Sequence, residues 1–335
     1  MLGGSGNDSI LGGSGNDTIK TGFGDDTVLG GAGNDSIDAG AGADWVKGDA
    51  GNDTLDGGDG NDTLDYSGVS GPVSINMATG LVTDSSDSSS DSISNFEDII
   101  GSGSGDTILG SASDNYIDGG AGPDSINAGD GNDRVLFDAN DISVIGGNGT
   151  DRLVIGADRS LVDFTLVRDN IFSDFEILDL TAASTQSVKI SDADVYTMTS
   201  SNRTLTLAAN ADDGLLLVGN WALASTDATY KTYTTLYTPP GGAQTTLTVQ
   251  VPVAITPGLV FITGESTETV VGTAGDDEFH TNGGADVVNA GAGNDNIDSG
   301  TGDDTVNAGT GNDIVLTDDG NDLVLGGAGN DSIDA

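Results

Sequence analysis

The sequence predicts an all-β chain: arrays of short strands wound into flattened coils, with a β-rich module inserted between them. Three observations carry this. Blocks of nine residues recur in phase, seven over Gly3–Asp65, six over Gly101–Val154 and seven over Gly272–Asp334. Most read Gly-Gly-x-Gly-Asn/Asp-Asp-x-U-x, where U is a large apolar residue, as in GGSGNDSIL (Gly3–Leu11) and GGAGNDSID (Gly30–Asp38). Between the arrays glycine thins out and β-branched residues alternate with polar ones, as in Thr245-Thr-Leu247-Thr-Val249-Gln-Val251. Repeats with a fixed period define architecture before any single residue does.

Residues 1–65 form the first array. Position four is Gly in every block, position six is Asp (Asp8, Asp17, Asp26, Asp35, Asp44, Asp53, Asp62) and position eight is apolar, from Ile10 through Leu64. Glycine reaches positive φ without steric cost, so Gly-x-Gly allows a sharp turn. Position two drifts to Asp49, Asp138, Asn282 and Asp318, the residue types that best tolerate the left-handed region. The last three residues suit a short strand whose U side chain points inward while its neighbours point out. Turn and strand alternating in this way give a coil with two nonapeptides per full turn.

Residues 66–100 read as a β connector. Val73-Ser-Ile75-Asn-Met77 alternates like a strand, the Ser/Asp run Asp84–Asp91 suits a solvated loop, and Ile93–Ile100 leads back to the repeat. Residues 101–154 form a degenerate second array. Asp106, Asp124, Asp133 and Asp151 keep position six, but Asn115 and Ile142 replace it elsewhere, and Ser104, Ser113 and Asn140 replace the position-four glycine. Fewer or weaker ions are expected there. Residues 155–262 are the β-rich module, either a sandwich or a widened continuation of the coil, with a helical turn possible at Asp192–Met198 and turns at Pro239-Pro240, Pro252 and Pro257. Residues 263–335 hold the third array, with position six at Asp277, Asp286, Asp295, Asp304, Asp313, Asp322 and Asp331.

Such a coil needs help to fold. One aliphatic side chain per nine residues is little apolar burial to set against the entropy of ordering nine backbone units. Stacking also brings the aspartates together. A hard divalent cation answers both problems: Ca²⁺ takes 6–8 oxygens, carboxylates and backbone carbonyls included, whereas Mg²⁺ holds its waters and demands an octahedron. Zinc and copper favour His and Cys, and the chain has one His and no Cys.

The blocks resemble the RTX (repeats-in-toxin) nonapeptide, GGxGxDxUx, of bacterial proteins exported by type I secretion. The resemblance implies a parallel β-roll, a right-handed β-solenoid. It implies Ca²⁺ ions, several of them, bound by the position-six aspartates and loop carbonyls, Asp8 stacking with Asp26 and Asp17 with Asp35. It implies a chain that is disordered at low calcium and folds outside the cell. The segment Phe175–Thr181 and Gly219-Asn-Trp221 resemble a module found beside RTX arrays in large bacterial surface proteins. The outermost loops of each array lack a stacking neighbour and are expected to bind loosely.

A net charge of −45 argues against a nucleic-acid grip and against anionic membranes. No stretch has the roughly 18 apolar residues of a membrane span. No leader precedes the first repeat, which is compatible with type I export, and the chain starts and stops on a repeat as a piece of something larger would. Catalysis is not expected. His280 is the sole histidine and sits at an outward position nine, so no Ser-His-Asp triad or zinc protease site is built here. Trp45 and Trp221 suit packing or surface roles. Thr301 and Thr310 are similar to threonines of ice-binding solenoids but fall on opposite sides of the coil. The expected function is that of a calcium-binding secreted or cell-surface structural or adhesive element, whose partners are calcium and possible surface proteins or glycans. The alternative is the non-catalytic C-terminal secretion and folding region of an exported enzyme or toxin.

Overall fold

A computed structural model describes residues 1–156, 161–167, 171–182, 186–199, 203–210, 213–218, 222–226, 229–237, 239, 243–252, 260–262, 267, 269–272 and 274–335. Strand accounts for 53% and helix for 3%, so inter-strand pairing carries the fold, a parallel β-solenoid consistent with a β-roll. The chain divides into two compact units, residues 1–153 with 171–175, and residues 154–170 with 176–335.

In the first unit, alternate nonapeptides feed two sheets. One contains Leu2–Ser5, Thr18–Phe23, Ser36–Ala41 and Thr54–Asp56; the other contains Ser9–Ser14, Thr27–Ala32, Trp45–Ala50 and Thr63–Asp65. All pairings within these two sets are parallel. Ile19 lies beside Ile37 and Val28 beside Val46, so each turn takes two nonapeptides, as the sequence predicts. Ile19, Val28, Ile37, Val46, Leu55 and Leu64 form the fully buried row between the sheets. Ile10, in the outermost turn, is only half-buried.

The turns explain the glycines. Gly31 has φ +104°, and a Cβ there would lie 2.1 Å from the Gly13 carbonyl oxygen of the turn below. Asp49, Asn282 and Asp318 hold the same left-handed conformation, with φ of 66°, 59° and 51°. Asp138 does not, because its loop is one residue shorter before the position-six carboxylate.

The connector keeps the stack going rather than leaving it. Ser89–Ser94 pairs parallel with Thr54–Asp56, Leu81–Asp84 pairs antiparallel with both Ser89–Ser94 and Val73–Asn76, and Val73–Asn76 pairs parallel with Thr107–Leu109. On the other sheet Asp98–Ile100 lies between Thr63–Asp65 and Tyr116–Asp118. The expectation of a solvated loop over Asp84–Asp91 holds for the exposed turn 85–88 and needs correction at its ends: Asp84, Ser89 and Asp91 are buried, because these residues lie on paired strands.

In the second unit, Leu161–Asp163, Ser187–Ser191, Gly214–Val218, Val260–Ile262, Glu278–His280, Asn296–Asp298, Ile314–Leu316 and Ser332–Asp334 form one eight-stranded parallel sheet. Thr269–Val271, Val287–Ala292, Thr305–Thr310 and Leu323–Leu325 form a second parallel sheet that supplies the alternate half-turns of the third array. Of the two alternatives for residues 155–262, the described residues follow the widened coil. Their strands are rungs of the same parallel stack, separated by longer excursions. One excursion carries the helix Asp192–Met198, capped by Ser191 and Asp194; another carries the antiparallel strands Ala222–Thr226 and Tyr230–Tyr237. Phe261 stacks on Phe279 with ring centroids 5.2 Å apart, where the long excursions give way to the nine-residue period. Gly219-Asn-Trp221, Pro240 and Pro257 lie outside the described residues.

Candidate metal sites

Each repeat aims its position-six carboxylate along the stack. Within a column, Oδ1 accepts the backbone N–H of the position-six residue one full turn earlier, each column's first member entering it only as a donor. One column runs Asp8 to Asp26 (2.7 Å), Asp26 to Asp44 (2.7 Å) and Asp44 to Asp62 (2.8 Å). The other runs Asp17 to Asp35 and Asp35 to Asp53, both 2.8 Å. Asp106 reaches Asp124 and Asp133 reaches Asp151, again at 2.8 Å. In the third array Asp277, Asp295, Asp313 and Asp331 make one column, and Asp286, Asp304 and Asp322 the other. The structure thus brings every sequence-predicted site residue into a column of this kind. Interior members such as Asp26, Asp35, Asp44, Asp295 and Asp313 are buried, while Asp8, Asp17, Asp322 and Asp331 near the array ends are half-buried.

The second oxygen decides the chemistry. Oδ2 of Asp8, Asp17, Asp26, Asp35, Asp44, Asp53, Asp62, Asp124, Asp133, Asp295 and Asp313 is buried and has no hydrogen-bond partner. Such an oxygen costs free energy unless something positive meets it. It faces the start of its own loop: a Cβ on Gly30 would lie 2.6 Å from Asp35 Oδ2 and 2.8 Å from the Gly48 carbonyl oxygen of the next turn. A Cβ on Gly3 would lie 2.5 Å from Asp8 Oδ2 and 2.7 Å from the Thr21 carbonyl oxygen. The space beside Oδ2 is therefore edged by carbonyl and carboxylate oxygens and left open by the absent glycine side chain, with the apolar eighth residue (Ile37 Cδ1, 3.3 Å from the Gly30 Cβ position) on its inner side. Among the described residues no three acidic or His side chains gather as a metal-binding group. A cation in these loops would take most of its ligands from the main chain, as hard, flexible Ca²⁺ does.

Electrostatics push the same way. Burial, reinforced by Asp91 and Asp35, raises Asp53 to about 7 despite the N–H it accepts. Burial with Asp151 and Asp114 raises Asp133 to about 7, and burial with Asp277 and Asp313 raises Asp295 to about 6. Asp62 and Asp124 also rise to about 6 through burial and acidic neighbours. A carboxylate held this way gains most from a nearby cation.

Four carboxylates of the same kind lie outside the nine-residue register. Asp53 N–H donates to Asp91 (2.9 Å), Asp62 N–H to Glu97 (3.0 Å), and Gln186 N–H to Asp213 (2.8 Å). Asp124 N–H points to Asp141 at 3.4 Å. In FDANDISVI the functional sixth residue is thus Asp141, not Ile142, which is more than half exposed. The loop is shorter by one residue and an extra residue precedes the strand: both Ile142 and Ser143 donate to the Asp124 carbonyl. Three of the four were legible as acid-x-apolar triplets (Asp91-Ser-Ile93, Glu97-Asp-Ile99, Asp213-Gly-Leu215), the same spacing as positions six and eight.

The other polar and aromatic candidates have local roles. His280 Nε2 lies 3.0 Å from Glu278 on an outward strand position. The Trp45 indole donates to Asp65 (2.8 Å), which also pairs with Lys47. Thr301 is bridged to Gly283, whereas Thr310 lies beside Ala292 on another strand, so the two share no row.

A family model described as the RTX calcium-binding nonapeptide repeat (4 copies) matches residues 2–37, 29–64, 100–135, 262–297 and 298–333. A comparison with curated proteins found no match.

Proposed function

This chain belongs to the RTX calcium-binding nonapeptide-repeat family and is a calcium-binding RTX-type protein; from that premise we propose that it is a secreted or cell-surface structural or adhesive element that folds as calcium fills its loops. The observation that supports this most is the series of buried, partnerless Oδ2 atoms beside carbonyl-lined space. The residues fit the ion. Asp26, Asp35, Asp44, Asp53, Asp295 and Asp313 would hold it through Oδ2, with loop carbonyls of adjoining turns completing the shell. The bound ion supplies positive charge that offsets both desolvation and carboxylate repulsion. Meanwhile Oδ1 clamps the backbone of the turn below, so each filled loop fixes two turns.

A ligand that binds only the folded state stabilises it by RT ln(1 + [L]/Kd) for each site. Many coupled sites make folding steep in calcium. The chain would remain unfolded where calcium is scarce and fold where it is abundant, which suits export followed by folding outside. No helix among the described residues is long and apolar enough to cross a membrane. Far-UV circular dichroism tests the reading: β signal should collapse in excess EGTA and return with calcium. A β spectrum unchanged in EGTA contradicts it.

A further inference from the structure

Several rungs depart from the cation-ready pattern in one consistent way: protein donors occupy the oxygens that elsewhere stay unpaired. Asp91 Oδ2 accepts the Tyr66 hydroxyl at 2.6 Å while its Oδ1 takes the Asp53 N–H. Asp106 Oδ2 accepts the Ser102 N–H at 2.6 Å, and its Oδ1 accepts the Ser102 hydroxyl and the Val73 N–H, both at 2.8 Å. Asn115 goes further. Its Oδ1 accepts the Ser111 N–H (2.8 Å) and hydroxyl (3.1 Å), and its Nδ2 donates to the Glu97 carbonyl (2.9 Å) one turn below. An amide N–H thus stands where a cation would bridge a loop carbonyl.

The second unit repeats the device on different residues. Gln186 Nε2 donates to the Gly156 carbonyl at 2.7 Å and to that of Ile155 at 3.3 Å. Its backbone N–H donates to Asp213 Oδ1, and Asp213 Oδ2 accepts the Asn210 N–H at 2.6 Å. Asn115 and Gln186 are both buried. A local cause is visible in the first unit. Ser102 and Ser111 occupy position two, where glycine elsewhere takes positive φ; neither serine does. Without the left-handed turn, the position-two N–H turns toward its own loop's sixth residue and satisfies it.

We propose that these are ion-independent rungs: the stretch from Tyr66 to Asp118 in the first unit, and that around Gln186 and Asp213 in the second, stack through protein hydrogen bonds alone and seed the calcium-dependent turns of their own unit. The proposal rests on the calcium reading of the arrays. A polar group satisfied within the protein carries no unmet desolvation cost, so these rungs lose nothing when calcium is withdrawn. Each seed also offers a formed edge, which spares the neighbouring turn part of its ordering cost, as in other stacked repeats.

Hydrogen–deuterium exchange on the full chain, with calcium and with excess EGTA, tests this. In EGTA, amides of Thr107–Leu109, Tyr116–Asp118, Ser187–Ser191 and Gly214–Val218 should keep protection. Those of Thr27–Ala32, Ser36–Ala41 and Thr305–Thr310 should lose theirs by at least about tenfold. Loss in all regions together overturns the seeds and leaves the calcium reading intact; protection kept everywhere in EGTA overturns the calcium reading itself. The S111G/N115D double variant restores the repeat at that loop. It should bind one more calcium ion per molecule, counted by native mass spectrometry, and lose protection over residues 107–118 in EGTA. An unchanged count with unchanged protection overturns the assignment.

Discussion

The loops ending in Asp53 and Asp106 share one backbone role and differ in what surrounds the carboxylate. Each accepts an N–H from the turn below through Oδ1, at 2.8 Å from Asp35 and from Val73. Asp53 leaves Oδ2 buried and unpaired beneath a turn whose second position, Asp49, is left-handed (φ 66°), whereas Asp106 closes on Ser102. The comparison separates two functions of the repeat that the nine-residue period merges. Stacking needs only an acceptor at position six. On the proposed reading, ion binding also needs position two to turn away, and that is what glycine, or Asp49 in the left-handed region, supplies. A repeat can therefore erode as an ion site and still persist as a structural rung.

The largest expected effect comes from removing an interior carboxylate. Asp35→Ala leaves the Asp17 N–H without its acceptor and deletes a proposed ion ligand. It should cost roughly 2–4 kcal/mol in calcium, counting a charged hydrogen bond at about 1.5–3 kcal/mol and a lost ligand besides. Asp8→Ala, at a half-buried outer loop, should cost less than half as much. Urea denaturation in calcium measures both, and equal losses would break the distinction between inner and outer loops.

Next is the turn itself. Gly31→Ala puts a methyl group 2.1 Å from the Gly13 carbonyl at φ +104° and should cost at least about 1–2 kcal/mol. Ser102→Gly should be far milder in calcium, since it moves the loop toward the repeat consensus. Thermal melts of the two variants sharpen the contrast between the turn types.

The comparison also has a pH signature. Asp53 and Asp133 titrate near 7 in the metal-free fold because of burial, well above the unfolded value of about 3.9. Between those values the folded chain binds more protons than the unfolded one, so the linkage slope is negative. The metal-free fold should gain stability as pH falls from about 7 toward about 4, while the folded chain's affinity for calcium should weaken over the same window, because protons compete for the same carboxylates. Circular dichroism in EGTA against pH checks the sign; β structure that weakens steadily on acidification over that window refutes it.

The smallest effect on calcium dependence is expected at Tyr66→Phe. It removes one hydroxyl donor from Asp91 and should cost about 1–2 kcal/mol, by the same amount at high and low free calcium. A shift in calcium midpoint without a change in calcium-free stability would place Asp91 with Asp53 instead.

Much of this was legible in the sequence because the period is short and strict. The apolar eighth position gave the buried row, the glycines gave the left-handed turns, and the sixth position gave the columns, including the two-block step from Asp17 to Asp35. What escaped was set by tertiary geometry. Asp141 takes the sixth place because its loop is shortened by one residue, which block counting assigns to Ile142. Asp91 and Glu97 join the columns only because the connector's strands return to the stack, as the alternation of Val73–Met77 alone does not say. The Asn115 and Gln186 clasps depend on which carbonyl lies one turn away, and residues 155–262 read as β-rich with a sandwich and a widened coil both open, since the pattern does not say that Phe261 aligns with Phe279.

A crystal of the chain grown in calcium and measured for anomalous scattering tests the central claim most directly. The account predicts peaks beside Oδ2 of Asp26, Asp35, Asp44, Asp53, Asp295 and Asp313, each ringed by loop carbonyls, and none at the Asn115 loop. Ordered loops without calcium peaks at those aspartates would contradict it.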